Sequence, residues 1–197
     1  MTTDNVNANR RRFLIGATSA VGAAGAVGIA VPFVASWLPS AKAKAAGAPV
    51  KYNLSKIEPG AMVTVEWRGK PVFILRRTSE ILETVTQSEG FLSDPTSERP
   101  QQPAYAKNEY RSIKDEYLIV LGVCTHLGCA PKHRPEPGSV ESEGGWVGGF
   151  FCPCHGSKFD LAGRVYKGVP APSNLAVPPH QYLSDTVVLI GEDGESA

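Results

Sequence analysis

The chain has 197 residues and a net charge of +1, from 20 basic and 19 acidic side chains. That length holds one domain of ordinary size plus a terminal segment, and the charge balance gives no argument for a nucleic-acid partner, which would need a basic stripe. Glycine (20) and proline (16) predict a turn-rich chain, and the four cysteines fall in two pairs, each with a histidine within two positions.

The chain opens on mostly polar residues 1–9, followed by Arg10-Arg11-Arg12, and then carries no charge until Lys42. Phe13 to Leu38 is a 26-residue run dominated by Ala, Gly, Val, Ile and Leu. As a helix it would extend ~39 Å, more than the ~30 Å of a bilayer's hydrocarbon core. Pro32 and four glycines (Gly16, Gly22, Gly25, Gly28) weaken it as a soluble helix but are tolerated in a membrane span.

Arg10-Arg11-Arg12-Phe13-Leu14 also reads as a twin-arginine export signal. As a plain basic flank, it would set the same orientation by the positive-inside rule, with the N-terminus cytoplasmic and the remainder outside. Ser40-Ala41-Lys42-Ala43 and Ala43-Lys44-Ala45 are small-residue patterns that a signal peptidase accepts. The apolar run is longer than a signal core of about 7–15 residues, so we expect it to be retained. The expected order is therefore a cytoplasmic segment with the signal (1–12), a transmembrane anchor (13–38), a flexible linker (39–50) and a soluble domain (51–197). The linker is small and mildly basic, and its alanines favour helix while Gly47 and Pro49 oppose it.

Beyond Val50 the pattern turns to short apolar or alternating runs broken by turn residues. Met62–Trp67 and Val72–Leu75 flank Arg68-Gly69-Lys70-Pro71 and predict a hairpin. Residues 117–123, 146–151, 164–166 and 187–190 are further strand candidates, and Thr78 to Gln87 predicts one short helix. Ser88 to Lys114, with Pro95, Pro100 and Pro103, reads as a polar insertion too irregular for a strand. The expected fold class is all-β: a small antiparallel domain of about 145 residues, carrying a pair of metal-binding loops and preceded by one N-terminal transmembrane helix.

The chemistry lies in Cys124-Thr125-His126-Leu127-Gly128-Cys129 and Cys152-Pro153-Cys154-His155-Gly156-Ser157, each placed directly after a strand candidate. Loops leaving adjacent strands can converge at one end of a β domain and share a metal. With Cys129 and Cys154 set aside, the loops offer Cys-x-His and Cys-x-x-His, and two thiolates with two imidazoles suit either tetrahedral zinc or an iron–sulfur cluster. Two structural disulfides would leave both histidines without a purpose. His133 and His180 lie outside these motifs and read as ordinary surface or loop histidines.

Together the two motifs resemble those of the Rieske iron–sulfur subunit of cytochrome bc1 complexes. The likeness extends to the twin-arginine start, the single anchor, the linker and Gly168-Val169-Pro170-Ala171-Pro172, which resembles that family's proline loop. The resemblance implies a [2Fe–2S] cluster with Cys124 and Cys152 on the buried iron and His126 and His155 on the outer one. It also implies a Cys129–Cys154 disulfide joining the loops. Imidazole in place of thiolate raises the potential of such a centre. The resemblance further places Ser157 as a hydrogen-bond donor to a bridging sulfide, and donation of that kind also raises the potential. Many members carry Tyr where this chain has Phe159, whose ring lacks the hydroxyl that bonds a ligand sulfur, so a potential in the lower part of the family's range is expected. Leu127, between His126 and Gly128, is expected to be exposed and to dock on an apolar partner surface.

By the same resemblance, the chain is the electron-transfer subunit of a quinol–cytochrome c reductase. His155, with His126 close by, contacts quinol and takes up a proton as the cluster takes one electron, which passes on to cytochrome c1. The implied partners are the cytochrome b and cytochrome c1 subunits within a dimeric complex. The implied place is the bacterial inner membrane, single-pass, with the cluster domain in the periplasm. The linker would let the head swing between two acceptors. The small subunit of a periplasmic arsenite oxidase is the alternative redox setting, and a zinc-stabilised, membrane-tethered binding module is the non-redox one.

Overall fold

The computed structural model describes residues 7–142 and 145–194; residues 1–6 of the expected cytoplasmic segment and 195–197 of the expected soluble domain lie outside these. The chain divides into two compact units, Met1–Ala45 and Ala46–Ala197.

The first unit is dominated by α1 (Ala8–Ser36), 29 residues with Pro32 inside and none of its residues buried. Asn7 caps it, its side-chain oxygen accepting from the amides of Asn9 and Arg10. It is long and apolar enough to cross a membrane, and it takes in Arg10–Arg12 as well as the apolar run. Ser40 caps a second short helix, α2 (Ala41–Ala46), through the Ala43 amide, so half of the expected linker is helical.

The second unit contains three antiparallel three-stranded sheets. The first sets β1 (Val50–Asn53) and β8 (His180–Ser184) on either side of β9 (Val187–Ile190). The second runs β2 (Met62–Trp67), β3 (Lys70–Arg76), β4 (Tyr117–Leu121). The third, β5 (Lys132–Arg134), β6 (Gly149–Phe151) and β7 (Lys158–Phe159), carries the second motif. The predicted hairpin forms in register Met62↔Leu75 to Trp67↔Lys70, with a tighter turn than four residues. Arg68 and Gly69 both take positive φ, 52° and 70°, giving a two-residue turn whose twist matches its strands.

Alternation along β3 and β4 divides the interior. Val72, Ile74, Tyr117 and Ile119 face a core shared with Leu54, Trp67, Val188 and Ile190. Phe73, Leu75, Leu118 and Val120 face a second core that includes Cys124, Cys152, Phe150 and Phe159. The middle sheet thus supports the metal-binding end on one face and the terminal strands on the other.

Three expectations need correction. Residues 164–166 form no strand; only the single bridges Leu92↔Tyr166 and Phe159↔Val165 occur there, because a tight turn at 160–164 leaves no room for a ladder. The 117–123 and 146–151 strands shorten to Tyr117–Leu121 and Gly149–Phe151. His133 and His180 are not surface or loop residues: they lie on β5 and β8, His180 is buried, and the Nε2 atom of His133 is buried. The helix prediction holds, with Thr78 as the cap of α3 (Ser79–Gln87).

Candidate metal centre

β4 leads through Gly122 and Val123 to Cys124, and β6 leads directly to Cys152. At Gly122 a Cβ would lie 2.4 Å from the Phe73 ring, so only glycine lets the chain leave the sheet there. The two loops then repeat one hydrogen-bond pattern. The Cys124 amide donates to the Cys129 carbonyl (2.8 Å) and the Gly128 amide donates back to Cys124 (2.9 Å). In the second loop the Cys152 amide donates to Ser157 (2.8 Å) and the Gly156 amide donates back to Cys152 (2.9 Å). The glycine at the fourth position past each cysteine has φ of 85° and 77°, which side-chain-bearing residues rarely adopt.

The loops place all six motif cysteines and histidines at one end of the domain. Cys129 and Cys154 are disulfide-bonded with Cα atoms 6.7 Å apart, and Cys124 and Cys152 are free and buried. The His126 and His155 rings meet edge-on, with centroids 4.7 Å apart. His155 is exposed; His126 is half-buried, and its Nδ1 is buried with no hydrogen-bond partner among the described residues. Cys152 lies with Cys129 and Cys154 in a group of sulfurs all within 4.8 Å of one another, but the disulfide removes two of the three as thiolates. The donors left are two thiols and two imidazoles. An orphaned ring nitrogen beside free buried thiols fits a bound metal group, because a buried acceptor without a partner is otherwise costly. Burial pushes the Cys124 thiol above its ordinary range, with the His126 amide and the Ser157 hydroxyl pulling it back. A bound cation reverses that penalty by holding the sulfur as thiolate.

Leu127 is 72% exposed at the tip of the first loop, beside the two imidazoles. Ser157 is fully buried, and its Oγ accepts from the Ala171 amide (3.1 Å). Phe159 is also fully buried, opposite Phe150 across the β6–β7 pair.

Sequence reasoning missed several residues that frame this end. The Thr125 hydroxyl donates to the Ser173 carbonyl (2.6 Å), tying the first loop to the 168–172 segment. Arg77, Arg111 and Arg164 are all buried, Arg111 within the 88–114 stretch that reads as a polar insertion. Desolvation lowers both the Arg77 and Arg111 guanidinium groups to about 10. The one available signal is the recurrence of arginines between apolar and proline-rich runs, which does not distinguish a buried side chain from a solvated one.

Two family models match the chain: "Ubiquitinol-cytochrome C reductase Fe-S subunit TAT signal" over residues 1–40 and "Rieske [2Fe-2S] domain" over residues 95–179. The chain is 58% identical over 197 residues to the ubiquinol-cytochrome c reductase iron-sulfur subunit of Allochromatium vinosum, covering all of this chain and 95% of that one. It is 44% identical to the subunit of the same name from Blastochloris viridis, covering 96% of this chain and 97% of that one. A chain of a hyperthermophilic respiratory Complex III aligns over 87% of this chain and 96% of its own, with 26% identity and a TM-score of 0.49.

Proposed function

The chain belongs to the family of Rieske iron–sulfur subunits of ubiquinol–cytochrome c reductase, and on that footing we propose how its own residues serve that reaction. It is a membrane-anchored, single-pass [2Fe–2S] protein that transfers electrons within a quinol–cytochrome c oxidoreductase. Similarity along the full length to such subunits leaves the arsenite-oxidase setting without support.

In this reading Cys124 and Cys152 would hold one iron of the cluster, and His126 and His155 would hold the other. The observation that carries it is the convergence of two free buried thiols with two imidazoles, one having an unpartnered buried Nδ1. The cluster, when bound, supplies a one-electron acceptor whose iron makes the ligating imidazoles more acidic. His155, the more exposed ring, would lose its far proton while the cluster is oxidised, and that nitrogen would then accept the quinol hydroxyl's hydrogen bond and proton, with His126 beside it. Leu127 supplies the apolar contact that seats the tip on the cytochrome b surface, and the Cys129–Cys154 disulfide keeps the two loops together. The electron leaves toward cytochrome c1, and the 39–50 stretch lets the head reach both partners within a dimeric complex. The head lies on the periplasmic side of the inner membrane, with residues 13–38 retained as the anchor.

The test is paramagnetic resonance of the reduced full-length protein in its complex. Mixed nitrogen and sulfur ligation is expected, and His155→Gln should abolish it. A tetrahedral zinc content with no such signal, or an unchanged signal in His155→Gln, overturns the ligand set. Prolines introduced at residues 41–48 should slow cytochrome reduction while leaving the signal intact; normal turnover would count against a mobile head.

A further inference from the structure

The segment Gly168–Pro172 passes over the metal-binding end, and Pro170 and Pro172 have no amide hydrogen. The Ala171 N–H is therefore the one backbone donor available between Val169 and Ser173. It is spent on Ser157 Oγ (3.1 Å), and Ala171 is itself buried. A hydroxyl that accepts one bond must aim its own hydrogen elsewhere, and accepting polarises it into a stronger donor, by about 10–30% per bond.

Residues 90–101 hold both feet of this segment, beside bonds to the sheets and the first loop: the Tyr166 amide donates to Lys158 of β7 (3.1 Å), the Leu121 amide of β4 to Ala176 (2.8 Å) and the Thr125 hydroxyl to Ser173 (2.6 Å). On one side the Lys167 amide donates to Phe91 (2.8 Å) and Lys167 Nζ to Gly90 (3.0 Å), while the Ser93 amide donates to Val165 (2.9 Å). On the other, the fully buried Asn174 is the side chain that fastens it to that stretch. Its Oδ1 accepts from the Val165 amide (2.8 Å). Its Nδ2 donates to the Asp94 carbonyl (3.1 Å) and to Ser97 Oγ (3.4 Å). The Val177 amide then donates to Gln101 (2.8 Å).

We propose that Asn174 is a positioning residue for the redox centre: by fastening the 168–173 segment to Asp94 and Ser97 it holds the Ala171 amide on Ser157, and so fixes the direction and strength of the Ser157 hydroxyl's bond into the cluster site. The proline-rich 88–114 stretch is on this account part of the apparatus that sets the potential, although it contains none of the motif residues. A donor to the cluster's sulfur stabilises the reduced, more negative state, so loosening the strap lowers the potential. The inference rests on the proposed ligand set above.

The experiment is a redox titration of the full chain in its complex, read by paramagnetic resonance so that cluster content is measured alongside potential. Asn174→Ala should lower the cluster's electron affinity about tenfold, 59 mV for a one-electron couple. In a Ser157→Ala background the same substitution should add little, because the hydroxyl through which it acts is gone. Should Asn174→Ala fail to assemble a cluster, Ser97→Ala removes one of the three bonds and is expected to shift the potential in the same direction by less. An unchanged potential in an assembled Asn174→Ala, an equal shift with and without Ser157, or an unchanged Ser97→Ala where Asn174→Ala does not assemble overturns the proposal. Absence of the mixed-ligand signal in the unsubstituted protein would instead overturn the ligand set.

Discussion

Arg164 and Asp160 form an ion pair at 2.8 Å in which neither side chain is more than 1% exposed. Asp160 also accepts from the amides of Ala162 and Arg164 and from the Ser88 hydroxyl. The pair closes the turn that carries the chain from Phe159 to Val165, and Arg164 reaches on to the carbonyls of Val85 and Pro95. Helix α3, the 88–114 stretch and the second motif are thereby joined at one point. Replacing Arg164 by Met removes the direct ion-pair partner of buried Asp160, leaving only the more distant Arg77 and Arg111 charges, which costs about 3–5 kcal/mol. Denaturant unfolding of the cluster-loaded protein should show that loss, and Asp160→Asn added to it should restore part. A loss below about 1 kcal/mol would mean that the pair is not holding the turn.

The Cys129–Cys154 bond closes a loop spanning a sequence separation of 25. In the chain-entropy picture a loop of that size is worth about 3.5 kcal/mol. Cys129→Ser with Cys154→Ser should lower the thermal midpoint and release the cluster earlier on heating, measured by loss of visible absorbance. The mechanism fails if cluster retention matches that of the unsubstituted protein.

Phe159 is fully buried in the core that contains Cys124 and Cys152. Phe159→Tyr introduces a donor there, and a hydrogen bond of about 1 kcal/mol corresponds to an upward shift on the order of 40 mV. Redox titration checks it. The added hydroxyl must fit a filled site, so a stability cost of about 1–3 kcal/mol accompanies the gain. No upward shift would sink the assignment of Phe159 as a lowering influence.

His133 and His180 both titrate below the ordinary 6.5 of a histidine because burial disfavours the charged ring. His133 stacks on Phe150 and feels Glu136; His180 faces Tyr105, Tyr182, the Pro178 carbonyl and Asp193. The unfolded chain therefore binds protons at a higher pH than the folded one. Above about 6.5 neither ring costs stability; as pH falls from there toward the depressed folded values, stability declines. Thermal midpoints measured from pH 7.5 down to pH 5 should fall. Paired His133→Gln and His180→Gln substitutions should flatten the slope, and an identical slope in that variant would exclude these rings as its source.

Leu127 is 72% exposed beside the imidazoles, a position where it stabilises nothing within the chain. Leu127→Ser should leave the thermal midpoint and the resonance signal unchanged while slowing reduction by quinol several-fold. Loss of the signal would show that the side chain shields the cluster instead of docking.

Much of the site is legible in the order of residues because its information is local. The loop pattern depends on cysteine, histidine and glycine at fixed offsets, and only those residue types supply thiolate, imidazole and positive φ. The apolar anchor and the hairpin at Arg68-Gly69 are legible for the same reason: an uninterrupted run or a period of two is a property of neighbours in the chain. At residues 164–166, and at the ends of the 117–123 and 146–151 strands, tertiary packing overrides local propensity.

By itself, then, the sequence determined the cluster motifs, the family, the anchor and the β-rich class. Tertiary structure alone decided that Arg77, Arg111 and Arg164 are core residues, that His180 is buried, and that Asn174 holds the 168–173 segment through Asp94 and Ser97. The bonds from Asn174 to Asp94 and Ser97 cross 80 and 77 positions of chain. A polar side chain looks the same in a sequence whether water or a distant carbonyl satisfies it, and only folding selects between the two.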